Sequence, residues 1–224
     1  MDATHFAAHG FALVPDVLAS VECEAIAAHV VAATGSSPGT RCLLSFDWCR
    51  ALAVWLREHP SLSPLLPPDS VAVQCTSFEK SSARNWLVPV HQDLSIPVAA
   101  RVDHESLGGW SRKEGSLYVH APVAVLEQLV AVRLHIDACG LDDGPLRLVP
   151  GSHVRGQIEP EAAALARRAG TEVVCAAERG SALVMRPLLL HSSSKAKGTS
   201  RRRVLHFLFG PRALPLGLTW QTAV

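Results

Sequence analysis

Residues 188–209 read LLLHSSSKAKGTSRRRVLHFLF. An apolar run ends at His191, a polar segment follows, and a second apolar run opens with three arginines at residues 201–203. Short apolar runs bounded by polar turn residues are typical of buried β-strands. The stretch therefore predicts two strands, at 188–191 and 202–209, joined by a turn that returns an arginine to the neighbourhood of His191.

The same texture continues through the last two thirds of the sequence. Six further strands are predicted, at residues 71–78, 87–93, 128–137, 145–149, 172–175 and 182–185. Helices are predicted at 17–33, where apolar residues recur at three- and four-residue spacing from Val17 through Val21 to Val31, at 47–58 and at 159–169. Eight short strands after an N-terminal helical segment predict a mainly β fold with flanking helices, a jelly roll or barrel.

Length and composition favour one globular unit. The chain has 224 residues, of which 48% are hydrophobic and 18% charged, and its formal net charge is +1. That balance excludes a disordered tail and gives no electrostatic basis for binding nucleic acid or an anionic membrane surface. No repeat or low-complexity linker interrupts the sequence, so we expect a single domain over residues 1–224.

The cysteines and the N-terminus bear on cellular location. The six cysteines are scattered without any CxxC pair, which is typical of reduced thiols. They are Cys23, Cys42, Cys49, Cys75, Cys139 and Cys175. Asp2 stands where a signal peptide carries bases, and no apolar run approaches about 18 residues. The sequence therefore predicts a soluble cytoplasmic protein.

A candidate metal site emerges from two of the 11 histidines. On an extended strand, His91 and Asp93 point to the same face while Gln92 turns away. His191, at the end of its apolar run, supplies a third ligand. Two histidines and a carboxylate form the facial triad of non-heme Fe(II) oxygenases, which leaves coordination positions for substrate and O2. A zinc hydrolase can use the same ligands, so the triad alone leaves the reaction open.

The arginine cluster suggests an anion site near the triad. If Arg202 faces inward, Arg201 and Arg203 point outward and His206 shares the inward face. A buried guanidinium suits a dicarboxylate cosubstrate, because its planar fork matches carboxylate geometry. The alternative is that all three arginines form a solvated start of the strand.

Together these residues resemble the phytanoyl-CoA dioxygenase family of Fe(II)- and 2-oxoglutarate-dependent oxygenases. The matching segments run in chain order through most of the sequence. They are GFALVP at 10–15, HQD at 91–93, GPLRLVPGSH at 144–153, His191 and Arg202. The resemblance implies a double-stranded β-helix in which His91, Asp93 and His191 hold iron. It also implies that Arg202 binds the distal carboxylate of 2-oxoglutarate with help from Ser193.

The resemblance extends to three further positions in the cosubstrate pocket. Thr76 and Gln74 lie on the strand before His91, where relatives line that pocket. Arg133 occupies an inward position where relatives often carry an aromatic or uncharged residue. It can hold 2-oxoglutarate, reach an anionic substrate or, in the alternative, face outward. His135 shares the face of Arg133, as a cavity or core residue, whereas His153 is expected to organise a loop.

The implied activity is hydroxylation of a small-molecule metabolite, coupled to decarboxylation of 2-oxoglutarate to succinate. Asp93 argues against the halogenase variant, in which a small residue replaces the carboxylate. Desaturation and ring formation use the same oxidant and stay open. Two other classes also stay open: a cupin-like metal-dependent hydrolase or isomerase, and a non-catalytic protein that retains the metal.

The segment 95–127 is the candidate substrate region. It is long for a plain turn, and its bases include Arg101, Arg112 and Lys113. We expect it to close over the cavity as a mobile lid and to favour a polar or anionic substrate. The alternative is an ordinary surface excursion with solvated charges.

Overall fold

The computed structural model describes residues 3–35, 39–198 and 200–224. The α-helices are α1 (Ala3–His9), α2 (Ser20–Thr34), α3 (Asp47–Glu58), α4 (Val123–Leu126) and α5 (Pro160–Ala169). The strands are β1 (Phe11–Val14), β2 (Val71–Lys80), β3 (Val88–His91), β4 (Ser95–Val98), β5 (Gly108–Lys113), β6 (Ser116–His120), β7 (Val130–His135), β8 (Leu146–Leu148), β9 (Val173–Cys175), β10 (Ala182–Met185), β11 (His191–Ser193) and β12 (Arg202–Gly210). Within the described residues, none of these helices combines the length and the apolar character needed to cross a membrane.

The strands form three antiparallel sheets. The large sheet has the order β1-β10-β7-β12-β2, a second sheet has the order β3-β11-β8-β9, and a small third sheet has the order β4-β6-β5. The large and second sheets make the jelly roll, a double-stranded β-helix, and side chains from all three sheets line one cavity. This is the mainly β fold with an N-terminal helical segment that the sequence predicts.

The large sheet is buried on both faces. Its outward face packs with α2 and α3 in one apolar core, which includes Leu205 and Phe207 of β12. Its inward face contributes Leu183 and Met185 to a second core, shared with the small sheet. Strands covered on both faces consist of nearly continuous apolar residues. A charged residue on the inward face of such a sheet is therefore unusual and marks the site described below.

Helix α2 shows where apolar spacing misleads. The helix lies close to its predicted position, but the buried residues are Cys23, Ile26, Ala27 and Val30. Val21 and Val31, both on the predicted apolar stripe, are exposed. Because α2 carries apolar residues around most of its circumference, its spacing fitted more than one face.

The strand predicted at 188–191 is displaced. The pairing segment is β11, so that of the predicted residues only His191 is in the sheet. The preceding leucines are buried in a turn, in which Leu189 N donates to Arg186 O. A run of leucines indicates that a segment is buried. A buried segment need not pair with a neighbouring strand, so the run did not locate the strand.

The segment 95–127, for which the sequence predicts no strand or helix, is folded. It contains the small sheet and α4. Glu114 and Gly115 connect β5 to β6 with φ values of 51° and 81°, the left-handed conformation of a tight hairpin turn. The hairpin could not be predicted from the sequence because β5 is rich in glycine and charged residues, which are uncommon in strands.

Candidate metal centre and its cavity

Neighbouring strands bring the three predicted ligands together. His91 ends β3 and His191 begins β11, and the two residues face each other across the antiparallel pair. Asp93 follows two residues after His91, where its backbone N donates to Pro187 O. Its Oδ1 lies 3.7 Å from His91 Nε2 and its Oδ2 lies 3.6 Å from His191 Nε2. One ligand atom from each residue lies within 4.8 Å of the others, so the three can hold one metal ion.

Backbone carbonyls orient both imidazoles. His91 Nδ1 lies 2.9 Å from Pro89 O, and His191 Nδ1 lies 2.8 Å from Leu189 O. A carbonyl accepts only from a protonated nitrogen, so each contact places the proton on Nδ1 and directs the Nε2 lone pair towards Asp93. Such outer hydrogen bonds fix ring orientation at metal sites.

Gln92, between the two ligands on β3's extension, turns away as the strand geometry predicts. Its buried amide donates to Leu188 O at 2.6 Å and to Gly156 O at 2.8 Å, and its carbonyl accepts from Ile158 N. These bonds fix the backbone between His91 and Asp93. The side chain that faces away from the site therefore holds the two ligands in place.

The charges at the triad suit a cation. Burial raises the pKa of Asp93, but His191, His91 and His206 outweigh it and hold that pKa well below its usual range. Burial lowers the pKa of His191, partly against the attraction of Asp93. An ionised carboxylate and a neutral imidazole are the forms that bind metal.

One cavity of about 520 Å³ contains the triad and reaches into the barrel between the large and second sheets. Every predicted site residue lines it: Gln74, Thr76, His91, Asp93, Arg133, His191, Ser193 and Arg202. We call the side of the cavity at Arg202 the inner end and the side at β5 and β6 the outer end.

Arg202 faces inward, whereas its two neighbours do not. It is 3% exposed, and its Nη1 donates to Gly144 O at 2.6 Å and to Cys139 Sγ at 3.8 Å. Its Nε is buried without a hydrogen-bond partner. Arg203, by contrast, forms a two-pronged ion pair with Asp137. The alternation along β12 thus separates one arginine with unmet hydrogen-bonding capacity from one that is fully paired.

Arg133 also faces inward and is 6% exposed. Its guanidinium lies 5.4 Å from the ring centroid of Phe78, and its Nε has no partner. Burial, and then the charge of Arg202, lowers its pKa to about 9. The outward-facing alternative for this residue is wrong, and the inner end holds a second cation.

Two residues close to the triad and Arg202 were not predicted from the sequence or were predicted without a role. Lys80, the last residue of β2, is 1% exposed and donates from Nζ to Ser193 Oγ and to Ser194 O, both at 2.8 Å. The predicted strand ended at residue 78, which placed Lys80 outside it. Continuing the two-residue period from Gln74 and Thr76 would have found it.

The other such residue is His206. It shares the inward face with Arg202, as predicted, and its Nε2 lies 3.9 Å from Asp93 Oδ2. Burial and the charge of Arg133 lower its pKa to about 4, against the attraction of Asp93. His206 therefore faces the carboxylate as a neutral imidazole at the margin of the triad.

The remaining histidines singled out in the sequence lie elsewhere. His135 is buried in the large sheet beside Arg133 and is not among the residues that line the cavity. His153 Nε2 lies 3.1 Å from Ala7 O. Its ring packs against Gly10, where a Cβ would approach within 2.5 Å of it. His153 thus packs against the C-terminal part of α1 and against Gly10, just before β1.

The small sheet and the segment before β2 form the outer end. Lys113 lines the cavity with its Nζ 4.8 Å from the ring centroid of Tyr118. Arg41 also lines it and pairs with Glu114 at 3.0 Å. Arg112 does not line this cavity, and Arg101 lies over the ring of Trp110. Of the three bases predicted for this region, only Lys113 reaches the cavity.

Comparisons with known proteins identify the family and the fold. The family model described as phytanoyl-CoA dioxygenase matches residues 6–204. Among solved structures, the epimerase SnoN from nogalamycin biosynthesis, in complex with Fe3+, alpha ketoglutarate and nogalamycin RO, is 16% identical, with a TM-score of 0.72 over 96% of this chain and 85% of its own. The carbocyclase SnoK from the same biosynthesis is 15% identical, with a TM-score of 0.68 over 93% and 82%. HygX from Streptomyces hygroscopicus, with iron bound, is 17% identical, with a TM-score of 0.64 over 93% and 85%. The search of curated proteins found no significant match.

Proposed function

Because this chain belongs to the phytanoyl-CoA dioxygenase family, we propose that it is an Fe(II)- and 2-oxoglutarate-dependent oxygenase that hydroxylates a small-molecule metabolite. One observation carries the proposal. The triad and the buried Arg202, whose Nε has no partner, face the same cavity. A metal site beside an unsatisfied guanidinium suits a dicarboxylate that chelates the metal at one end and meets a cation at the other.

The residues present fit both groups. His91, Asp93 and His191 would hold the iron, since two imidazoles and one carboxylate are the donor set of this class of iron site. Arg202 and Ser193 would hold the distal carboxylate of 2-oxoglutarate. Thr76, Gln74 and Arg133 would line the pocket between them.

When bound, the iron and 2-oxoglutarate supply activation of O2 and oxidation of a substrate C–H bond, with release of succinate and CO2. The chain's own part is to bind and to orient. The carbonyls of Pro89 and Leu189 orient both rings so that their Nε2 atoms would be available to hold the ion. Buried strands around Arg202 exclude water, so its charge acts in a medium where it is weakly screened.

Hydroxylation is the outcome we propose. His91, Asp93 and His191 supply all three protein ligands of the triad, and the cavity has room for a small molecule. The structural relatives include an epimerase and a carbocyclase, so product analysis must decide among outcomes of one oxidation chemistry. We further propose a polar or anionic substrate, since Lys113 lies at the outer end with no carboxylate partner among the described ion pairs.

The decisive experiment is anaerobic reconstitution with Fe(II) and 2-oxoglutarate. We expect a weak metal-to-ligand absorption band near the middle of the visible range, and O2-dependent succinate on exposure to air. His91→Ala and Arg202→Ala should each diminish the band, while His5→Ala, on the exposed side of α1, should retain it. A band that persists in both site variants would overturn the assignment. A metal-dependent hydrolase, isomerase or binding protein would release no succinate.

A further inference from the structure

The inner end of the cavity holds more positive charge than one carboxylate requires. Lys80, Arg133 and Arg202 are all buried there. Among the described residues, no ion pair links any of the three to a carboxylate. Buried charges are normally paired, because removing an unpaired ion from water costs several kcal/mol. The three cations therefore favour an anionic ligand.

Strand register places Lys80 beside Arg202. The two residues are directly opposite on the antiparallel strands β2 and β12, so their side chains leave the sheet on the same face with Cβ atoms about 5 Å apart. Gly144, whose carbonyl anchors Arg202, has φ of 65°, and a Cβ there would meet Ser194 O at 2.5 Å. The segment 193–194, at the end of β11, is thus packed tightly against the carbonyl group that anchors Arg202.

The donors around Lys80 are incompletely used. An ammonium has three N–H donors, and two of them go to Ser193 Oγ and Ser194 O. The Nζ also lies 5.5 Å from the ring centroid of Trp86, a contact that leaves the third N–H without a hydrogen-bond acceptor. Because Ser193 Oγ accepts from Lys80, its own hydroxyl proton is free to donate to a ligand. The Nε of Arg202 is free as well. Three donors from three residues therefore remain available at the inner end.

A purely structural role for Lys80 does not explain why this residue carries a charge. Holding the segment 193–194 needs only a neutral donor, whereas an ammonium beside two guanidinium groups adds repulsion. Burial, then Arg202 and Arg133, lower the pKa of Lys80 to about 8. The charge of Lys80 thus destabilises the free protein, and it becomes stabilising once an anion is bound beside it.

We propose that Lys80 is a second cationic contact for the distal carboxylate of 2-oxoglutarate, donating to it together with Ser193 and Arg202. This inference rests on the proposed function. It adds Lys80 to the residues that bind the cosubstrate, beside the triad and Arg202. The site would thereby discriminate against 2-oxo acids that lack the distal carboxylate more strongly than Arg202 alone allows.

Direct binding to the metal-loaded protein tests this proposal. The dissociation constants of 2-oxoglutarate and of 2-oxopentanoate, which has the same chain length without the distal carboxylate, are measured by anaerobic equilibrium dialysis on the Ni(II)-loaded protein. Lys80→Met should weaken 2-oxoglutarate binding by about 10- to 100-fold, the range for one charge-assisted hydrogen bond, and 2-oxopentanoate binding by less than about twofold. Equal losses for the two ligands, or no loss, would overturn the role of Lys80.

Two further variants separate charge from structure. Lys80→Gln keeps a donor for the segment 193–194 but removes the charge, and it should show the same ligand-dependent loss. Lys195→Met, which changes an exposed lysine in the connection between β11 and β12, should leave both dissociation constants unchanged. If the wild-type protein itself bound both 2-oxo acids equally, the proposed function would fail first, and this result differs from a failure of Lys80 alone.

Discussion

The two ends of the cavity are built differently. At the inner end, Lys80 and Arg202 project from long strands of the large sheet, are buried, and have no carboxylate partner among the described residues. At the outer end, Arg41 and Glu114 pair at the surface of a small sheet, and both side chains are more than a third exposed. Exposed ion pairs are screened by solvent and contribute little to stability. A buried charge without a partner is unfavourable, and a ligand of opposite charge can compensate it. Under the proposed function, the inner end is thus fixed for one anion, and the outer end can vary with the substrate.

Removing a metal ligand between the two ends gives the largest expected effect. His191→Ala should reduce affinity for Ni(II) or Co(II) by at least roughly 100-fold, because it deletes one of three ligands that a backbone carbonyl holds in place. Isothermal titration calorimetry measures the loss. His120→Ala, at the outer end of the same cavity, is the control and should bind metal normally. Normal metal binding by His191→Ala would disprove the triad.

Arg202→Leu should separate the inner end from the metal. We expect 2-oxoglutarate binding to weaken by about 100-fold, as for loss of a buried charge-assisted fork. Metal affinity measured without 2-oxoglutarate should stay within about threefold, since no triad atom bonds to Arg202. Arg201→Leu, which removes an exposed pair with Glu79, provides the matched control. Equal effects of the two substitutions on 2-oxoglutarate would contradict the inward role of Arg202.

The sequence predicted the inner end better than the outer end, for physical reasons. Two-residue periodicity sufficed to place His91 with Asp93 and to separate Arg202 from Arg203, because both sets lie on regular strands. It missed Lys80, since a basic residue at a strand end looks like the start of a turn. The hairpin of β5 and β6 was missed altogether, because its pairing depends on tertiary contacts that glycine-rich and charged segments do not encode locally.

A pH dependence distinguishes Lys80 from its permanently charged neighbour Arg202. The pKa of Lys80 in the free protein is about 8, and a bound carboxylate would raise it. Binding above pH 8 therefore requires proton uptake, so 2-oxoglutarate affinity should fall by about 5- to 10-fold between pH 7 and pH 9. Below pH 8 the ammonium is present in both states and contributes no slope.

The groups that face Lys80 define the control for this pH dependence. They are Arg202 on β12, Arg133 on β7 and the thiol of Cys139. Lys80→Arg keeps the charge at all these pH values and should remove the decline that begins near pH 8. A decline caused by Arg133 would begin nearer pH 9 and would persist in this variant. An unchanged pH profile in Lys80→Arg would exclude Lys80 as its source.

At the outer end, Lys113 and Arg112 provide a matched pair on adjacent positions of β5. Lys113 lines the cavity and Arg112 does not. Lys113→Met should raise the KM of a substrate identified by stimulated succinate release by about fivefold, the effect of losing one partly exposed charge contact. Arg112→Met should leave that KM unchanged. Neither substitution should alter 2-oxoglutarate affinity, and equal KM effects of the two would contradict an anion contact at Lys113.

The smallest effect concerns the attachment of the outer end to the barrel. Glu114, at the hairpin turn, accepts from Thr40 Oγ1 at 2.6 Å, from Arg41 N at 2.9 Å and from Arg41 Nη1 at 3.0 Å. Glu114→Gln removes the charge from these exposed contacts, so we expect amide hydrogen exchange in residues 108–120 to rise by about two- to fivefold. Exchange in β2 and β12 should not change, because their ladder does not depend on this carboxylate. Faster exchange in both regions would mean that the two ends unfold together, and the small sheet would then belong to the rigid frame of the cavity.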